Sequence, residues 1–358
     1  MDLYPHFPLS MKGSTTMKKR NLILLFSTLF LLTVGLVIIG FIFNKSEYEK
    51  QNGLANGFDV SSQNTIAYVT YQEGKPQLFL YNKEEQIDSL AAEYDENTMI
   101  LDPSFNSDGS VLAFITMNKD QNTEQKSTVH FLDLRTTKIS EAFTDDATIT
   151  EVEFKPDGSS LLYLRAGTFE NYSPIASERP HQFDLYEFHI NDATQQPITN
   201  LEQYSIHSLQ VSPDGGKAFL TMDDDSGVET AEDSFMVKNR IFEIPLENPK
   251  DKKVISDPQS DIDMYSFAIT PKGDEMIFQA ISNPDDGGTF EYELFKYHFE
   301  TKEVRQLTHF GKHANDPVIL DETVYFMLDK NFAQGDAINH LYKMSINGDH
   351  IEEIQLPH

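Results

Sequence analysis

The hydrophobic pattern divides the chain into one long apolar run and a series of short ones. The segment Asn21–Phe43 carries no charged residue. As a helix, residues 22–43 are about 33 Å long, enough to cross a hydrocarbon core of roughly 30 Å. After Phe43 no long stretch keeps a 3.6-residue period, and Glu85–Tyr94 forms a helical turn or two at most. Short runs of period 2 follow instead, and these predict β-strands.

The charges around the apolar run predict its orientation. Lys18, Lys19 and Arg20 precede it, and more cations lie before it than directly after it. The positive-inside rule therefore puts the N-terminus in the cytoplasm and the bulk of the chain outside. A cleavable signal has a shorter apolar region, about 7–15 residues, and a small-x-small site, so we predict an uncleaved signal-anchor with a cleaved signal as the alternative. The predicted organisation is a cytoplasmic N-terminus (1–20), a transmembrane helix (21–43), a polar tether (44–57) and a repeat domain (58–358).

The clearest short pattern is Glu151–Leu164, EVEFKPDGSSLLYL, in which two apolar runs flank Lys-Pro-Asp-Gly. Proline fixes φ, aspartate bonds its own backbone and glycine accepts positive φ, so the segment predicts a β-hairpin. The hairpin recurs at Pro103–Thr116, Leu209–Thr221 and Phe267–Gln279, and in degenerate form at Phe58–Thr70 and Asp316–Leu328. The residues predicted to shape the turns are Asp108, Gly109, Asp157, Gly158, Asp214, Gly215 and Gly273.

An aromatic-rich strand and a weaker fourth strand follow each hairpin. The third strands are Gln77–Tyr81, Val129–Leu134, Phe183–Ile190, Arg240–Ile244, Tyr292–Phe299 and His340–Ile346. The weaker fourth strands are seen best at Gln196–Thr199, Glu303–Thr308 and Ile351–Leu356. Four short antiparallel strands in each of six repeats predict an all-β fold, a six-bladed β-propeller. Either Ile351–Leu356 completes the last blade, or a strand near Leu54–Val60 closes it.

The repeats resemble the TolB-like β-propeller family over about residues 58–356. The similarity is carried by the phenylalanine-x-Pro-Asp-Gly turn at Phe154–Gly158, by Leu112–Phe114, and by the Leu-Tyr and Leu-Thr pairs of the later strands. The resemblance implies the fold. It implies no single function, because such repeats occur in periplasmic scaffolds, sugar-processing enzymes and the propellers of prolyl oligopeptidases.

Charge and cysteine content narrow the function classes. Lys and Arg total 28 against 57 Asp and Glu, a formal charge of -29. Such a surface repels nucleic acid and anionic lipid headgroups, so neither is an expected partner of the folded part. The absence of cysteine removes disulfides, thiol nucleophiles and Cys-based zinc sites.

Alignment of the first strands on their turns predicts an acidic channel mouth. Two polar positions, one and three residues before the last apolar residue, lie on the face opposite to it. If this face lines a central channel, its carboxylates bind a cation or an amine; the alternative is that they are ordinary wet channel residues. The predicted ligand-binding residues are Asp102, Glu151, Glu153, His207 and Asp316.

A second candidate site is the run Asp223, Asp224 and Asp225. Carboxylates in a flexible loop suit Ca²⁺, although the EF-hand spacing is not met and a solvated acidic loop is the alternative. No other cofactor is predicted. The chain has no G-x-S-x-G motif, so a serine-hydrolase elbow is not expected.

These observations favour a non-enzymatic binding or scaffolding module in the cell envelope, with a protein, peptide or wall polymer as partner. The membrane is contacted through the N-terminal helix. Two alternatives remain: a ligand-sensing ectodomain that uses the channel mouth, and a lyase or hydrolase acting on envelope sugars. The enzyme needs His, Arg and carboxylate side chains together at one mouth, whereas a shallow apolar loop face indicates a partner-binding role.

Overall fold

The computed structural model describes residues 19–43, 46, 48–122, 125–171, 178–228 and 237–358. Most of the predicted cytoplasmic segment lies outside this part of the chain. The chain divides into two compact units, residues 1–47 and 48–358. In the first unit, α1 (Lys19–Phe43) is long and apolar enough to cross a membrane. Its exposed side chains agree with a signal sequence or a single anchor.

The described residues of the second unit form 24 strands in six four-stranded antiparallel groups, which we call blades 1 to 6. Blade 1 contains β1 (Gly53–Val60), β2 (Thr65–Gln72), β3 (Lys75–Asn82) and β4 (Ile87–Glu93). Blade 2 contains β5 (Thr98–Phe105), β6 (Val111–Asn118), β7 (Ser127–Asp133) and β8 (Lys138–Asp145). Blade 3 contains β9 (Ile149–Phe154), β10 (Ser160–Asn171), β11 (Glu178–His189) and β12 (Thr194–Pro197).

The last three blades have shorter outer strands. Blade 4 contains β13 (Ile206–Val211), β14 (Lys217–Asp223), β15 (Asn239–Pro245) and β16 (Lys253–Val254), with a 3-10 turn at Pro249–Asp251. Blade 5 contains β17 (Phe267–Ile269), β18 (Glu275–Ile281), β19 (Tyr292–His298) and β20 (Val304–Gln306). Blade 6 contains β21 (His313–Leu320), β22 (Thr323–Asp329), β23 (Asn339–Ser345) and β24 (Glu352–Glu353). One parallel pair, Tyr292 with His313, joins blades 5 and 6.

The second strand of a blade is buried on both faces because neighbouring blades cover it. In β6, Leu112 and Phe114 pack in the core shared with blade 1. The alternate residues Ala113 and Ile115 pack in the core shared with blade 3. Strands covered on both sides lose polar alternation and become continuous hydrophobic runs, which is why these segments stand out in the sequence.

The predicted turns form as expected. Gly109, Gly158, Gly215 and Gly273 all have φ near 70° and donate their N–H to the carbonyl three residues earlier. In the turn that contains Gly158, Asp157 Oδ1 accepts hydrogen bonds from the backbone N–H and the hydroxyl of Ser159. The aspartate therefore stabilises the turn, and glycine supplies the left-handed backbone.

The last blade is completed by its own C-terminal strand, β24, which pairs with β23 and is shorter than the predicted Ile351–Leu356. Residues of β1 pack against blade 6: Phe58 and Val60 share a core with Met327, Leu341 and Ile354. The ends of the unit therefore meet, as both closure alternatives require, and the pairing of β24 with β23 agrees with the first alternative.

Three local expectations are wrong. Residues 53–57, assigned to the tether, belong to β1, and the segment Ile87–Glu93 is a strand with no helical turn. The described residues between the predicted strands that end at Leu164 and begin at Phe183 extend β10 and β11, which stay paired from Ala166–Phe183 to Asn171–Glu178. Most residues of this extension are polar, so the hydrophobic pattern did not predict strands there.

Candidate functional site

The first strands of all six blades surround one cavity of about 620 Å³, which we call the axial cavity. The predicted ligand-binding carboxylates Asp102, Glu151, Glu153 and Asp316 all line it. His207 does not belong to the lining. Its Nδ1 lies 4.0 Å from Glu151 Oε1, and its side chain is 57% exposed. The predicted polar face therefore lines a real cavity, with the histidine beside it.

The lining carboxylates also connect neighbouring blades. Asp59 Oδ2 of blade 1 accepts the backbone N–H of Phe105 in blade 2, at 2.7 Å. Asp102 Oδ2 accepts the N–H of Val152 in blade 3, at 2.6 Å. Each carboxylate thus satisfies a donor at the inner edge of the next strand, and an unsatisfied buried donor would cost free energy.

The same connection continues around the cavity with other residue types. Both oxygens of Glu151 accept N–H groups of blade 4, from Ser208 at 2.9 Å and Leu209 at 2.6 Å. Gln210 Oε1 accepts the N–H of Ile269 in blade 5, at 3.0 Å. The Ser266 hydroxyl accepts the N–H of Asp316 in blade 6, also at 3.0 Å. Five of the six blade junctions therefore carry a side-chain-to-backbone connection of this kind.

The junction between blades 6 and 1 differs. The Asp316 carboxylate receives a hydrogen bond from Asn315 Nδ2 at 2.9 Å, and no N–H of the described part of blade 1 reaches it. Asn339 Nδ2 donates to the carbonyl of Leu54 at 3.0 Å instead, farther from the axis. At this junction the connecting side chain is therefore one that does not line the axial cavity.

The axial cavity brings five carboxyl groups together, those of Asp59, Asp102, Glu151, Glu153 and Asp316, and its lining has no cationic side chain. Burial is the main reason that the pKa is raised to about 7 for Asp59 and Asp316 and to about 8 for Glu153. Burial also raises the pKa of Asp102 and Glu151, and the neighbouring carboxylates add to the effect at Asp102. No Lys, Arg or His is among the residues lining the cavity. Like charges that share a low-dielectric space favour protonated forms.

Asp59 was missed by the sequence analysis. Blade 1 has Ser-Gln-Asn in place of Pro-Asp-Gly, so its first strand was left out of the aligned columns. Had the turn been aligned at Ser61, whose N–H bonds to Thr65, Asp59 would have fallen in the same column as Glu153.

The arrangement limits the chemistry of the cavity. General acid–base catalysis needs a positioned donor and acceptor at the reacting group, and the hypothesised sugar enzyme needs His and Arg beside the carboxylates. The cavity lining has carboxyl, amide, hydroxyl and backbone groups but no His or Arg, so it lacks the set that the hypothesised sugar enzyme needs. The carboxyl groups of the cavity therefore connect neighbouring blades, and in their ionised form they attract cations.

The predicted calcium residues lie at the end of β14. Asp224 Oδ1 accepts hydrogen bonds from the N–H and the hydroxyl of Ser226, and Asp225 Oδ2 accepts one from Gln203 Nε2. Burial and the nearby carboxylate of Asp263 raise the pKa of Asp223. No group of three or more potential ligands is arranged around a metal position in the described residues. Glu229, Glu232 and Asp233 follow in the same acidic loop but lie outside the described residues. Calcium binding therefore stays a prediction.

A second candidate site is formed by the loops joining second to third strands in blades 4, 5 and 6. We call the surface of residues 224–228, 237–238, 282–291 and 330–338 the loop face. Its exposed apolar side chains come from three consecutive blades: Val228 is 38%, Phe290 47% and Ile338 53% exposed. Single exposed apolar residues are normal on a protein surface, and the position of these three on loops of the same face is what makes the surface a candidate site.

An aromatic cluster of Tyr265, Tyr292, His313 and Phe332 adjoins the loop face. The His313 and Phe332 rings stack at 4.8 Å, and Tyr292 meets Phe332 edge to face at 5.6 Å. Tyr265 contacts Tyr292 at 5.6 Å. All four side chains are partly exposed. The cluster spans the junction of blades 5 and 6, so no single repeat reveals it.

Comparison with known proteins supports the fold. No family model and no curated protein matches the chain. Among solved structures, TolB from Acinetobacter baumannii matches with a TM-score of 0.54 and 14% identity, covering 87% of this chain and 65% of that one. This chain thus spans slightly less than two thirds of that TolB.

Two further solved structures match over most of their length. A TolB-like protein from Agrobacterium tumefaciens has a TM-score of 0.57 at 13% identity, covering 77% of this chain and 87% of that one. The β-propeller domain of the Trilobed protease from Pyrococcus furiosus has a TM-score of 0.51 at 16% identity, covering 85% of each chain. These identities show the fold alone: the chain contains a β-propeller domain similar in structure to those of TolB and the prolyl oligopeptidase-type proteases.

Proposed function

We propose that the protein is a membrane-anchored, extracytoplasmic six-bladed propeller that acts as a non-enzymatic binding module of the cell envelope. Its loop face holds a protein, peptide or wall-polymer partner. The observation that carries this proposal is the set of exposed apolar side chains contributed by three consecutive blades, Val228, Phe290 and Ile338. Loops on a rigid scaffold are where binding residues concentrate.

The axial cavity supports this assignment in a different way. Its carboxylates are occupied in connecting blades, Glu151 through both oxygens. Such residues are needed by the fold itself. A ligand-sensing role in the cavity is the second candidate, and the observation in its favour is a lining with five carboxyl groups and no cationic side chain. A cation or an amine is the chemical class that this cavity would attract.

In-cell photocrosslinking tests the proposal. A photoreactive amino acid is placed in the full chain at Phe290 or Ile338 on the loop face, and at Lys272 in an opposite turn as the matched control. We expect a discrete crosslinked partner from the two loop positions and none from Lys272. Equal crosslinking from all three positions, or none from the loop face, contradicts the proposed role.

A further inference from the structure

The charge of the loop face specifies its partner further. We infer that the loop face binds a cationic polypeptide segment with aliphatic or aromatic side chains, whose apolar groups cover the aromatic cluster and whose cations meet the loop carboxylates. This inference rests on the proposed binding function and adds the chemistry of the partner. Two separate features of the surface support it, the aromatic cluster and the charge balance of the loops.

The apolar part of the surface is preassembled. Phe332 is fixed between His313 and Tyr292 by ring contacts at 4.8 and 5.6 Å. Exposed Phe290 lies two residues before Tyr292 in the chain, and exposed Ile338 ends the loop that contains Phe332. Rigid aromatic side chains give contact area at a low cost in conformational entropy.

The loop carboxylates are in excess, and the loop lysines are already paired. The acidic residues of the described loops are Asp224, Asp225, Asp285, Asp286, Glu291 and Asp336. Lys330 forms an ion pair with Glu353 at 2.7 Å, and Lys238 forms one with Asp263 at 3.4 Å. Lys312 adds one cation beside the cluster. The surface therefore has a negative balance and attracts positive charge.

The cluster itself adds no positive charge. Burial lowers the pKa of His313, so its imidazole is neutral near pH 7 and stacks as an aromatic ring. A neutral sugar could stack on the rings and donate its hydroxyls to the carboxylates, but it brings no positive charge to offset their excess. An anionic wall polymer or lipid headgroup would be repelled. A cationic segment with apolar side chains uses both features.

The chain contains no tryptophan, which makes a direct binding assay available. The full-length protein in detergent micelles is titrated into a synthetic peptide of alternating lysine and leucine with one tryptophan, at about 0.15 M salt, where distant charges are screened. Two control peptides replace either the lysines by glutamate or the leucines by serine. The same titration with protein-free micelles gives the emission change due to micelle binding, and this is subtracted. After the subtraction we expect tryptophan emission to report binding of the first peptide and much weaker binding of both controls.

Substitutions locate the binding. Phe290→Ser with Ile338→Ser should weaken binding about fivefold or more, as expected for truncation of central contacts. Val304→Ser, which changes an exposed apolar residue on β20, should leave binding unchanged. Asp285→Asn with Asp286→Asn should weaken binding, whereas Glu300→Gln with Glu303→Gln in an opposite turn should not. All these residues are exposed or loop positions, and the unfolding midpoint verifies that each variant folds.

The outcomes separate this inference from the proposed function. If the loop-face substitutions leave the affinity unchanged, the peptide binds elsewhere and the inference is overturned. The same holds if the affinity falls only in Glu153→Gln, a variant of the axial cavity. Equal binding of the serine-substituted peptide shows nonspecific charge attraction and also overturns it. If crosslinking from Phe290 identifies a partner whose crosslinked segment is neutral or acidic, the proposed function stands and this inference fails. If no partner crosslinks from the loop face, both fail.

Discussion

The imidazole of His358 connects the last blade to the first: its Nε2 lies 3.1 Å from Oδ2 of Asp88, and its ring stacks on Phe79 at 4.5 Å. Asp88 is the second residue of β4, and Phe79 lies in β3. The residues after β24 therefore cross the junction at which the two ends of the propeller meet. The buried Ile354 supplies the apolar part of the same contact.

Removal of Ile351–His358 should therefore expose the edge of β23 and empty part of the core between blades 6 and 1. We expect loss of cooperative unfolding or aggregation, because an unpaired strand edge invites association. His358→Ala is the control, and it should cost less than ~1 kcal/mol because the His358 side chain is 55% exposed. Thermal unfolding of the truncated chain with an unchanged midpoint would show that the last residues do not close the ring.

The axial carboxylates should make the propeller less stable as the pH rises. A carboxyl group whose folded pKa exceeds its unfolded value favours the protonated folded state, so its contribution is present at low pH and is lost as the pH rises through the folded pKa. For Glu153 that window runs from the ordinary value of 4.5 to about 8.

Glu153→Gln should accordingly stabilise the protein above pH 8 by roughly 1–3 kcal/mol and have little effect near pH 5. Ser104 can still donate to the amide oxygen that replaces the carboxylate. Glu352→Gln is the control, because Lys343 lowers the pKa of that exposed residue. Chemical denaturation at both pH values measures the effect, and an equal shift at pH 5 and pH 8 contradicts the titration argument.

Gly158 should be sensitive to substitution for a backbone reason. Its φ is 68° and a β-carbon there would meet nothing within 4 Å, so the cost of Gly158→Val comes from the left-handed backbone. We expect a loss of about 1–3 kcal/mol in unfolding free energy. Gly227 also faces open space but has no such φ, and Gly227→Val should change stability by less than ~0.5 kcal/mol. Equal effects of the two substitutions would refute the turn assignment.

Lys119 should control the segment that leads into β1. Its buried Nζ donates to the carbonyl of Gly74 at 2.6 Å and lies 4.6 Å from the Tyr71 ring centre and 5.7 Å from that of Tyr48. Lys119→Met removes the donor while keeping the stem, so Tyr48 and its neighbours lose a fixed contact. We expect faster trypsin cleavage after Lys50, and an unchanged rate in the exposed control Lys75→Met.

The choice between an anchor and a signal sequence has a direct test. We expect the protein in membranes to retain residues 19–43, because the apolar run exceeds the length typical of cleaved signals. Mass spectrometry of the membrane-purified protein measures its N-terminus. A mature N-terminus shortly after Phe43 would assign the helix as a cleaved signal, and protection of the propeller from protease added to wall-stripped cells would contradict the extracytoplasmic location.

The sequence alone determined the repeats, most of the strands and four of the five carboxyl residues that line the axial cavity. Turn residues such as Asp157 and Gly158 act over a few bonds, and strand side chains alternate with period 2, so both can be read locally. A repeated hairpin places equivalent positions at equivalent depths around the ring, which is why Asp102 and Glu151 were correctly assigned to one polar face.

Only the tertiary structure decided what those residues contact. Asp59 meets Phe105 and Glu151 meets Leu209 across blade junctions, at sequence separations of 46 and 58 residues. The aromatic cluster and the closing contact between His358 and Asp88 likewise join different blades. Local pattern fixes which face a side chain occupies, whereas its partner depends on how the blades pack, and packing brings together residues whose spacing in the sequence carries no signal.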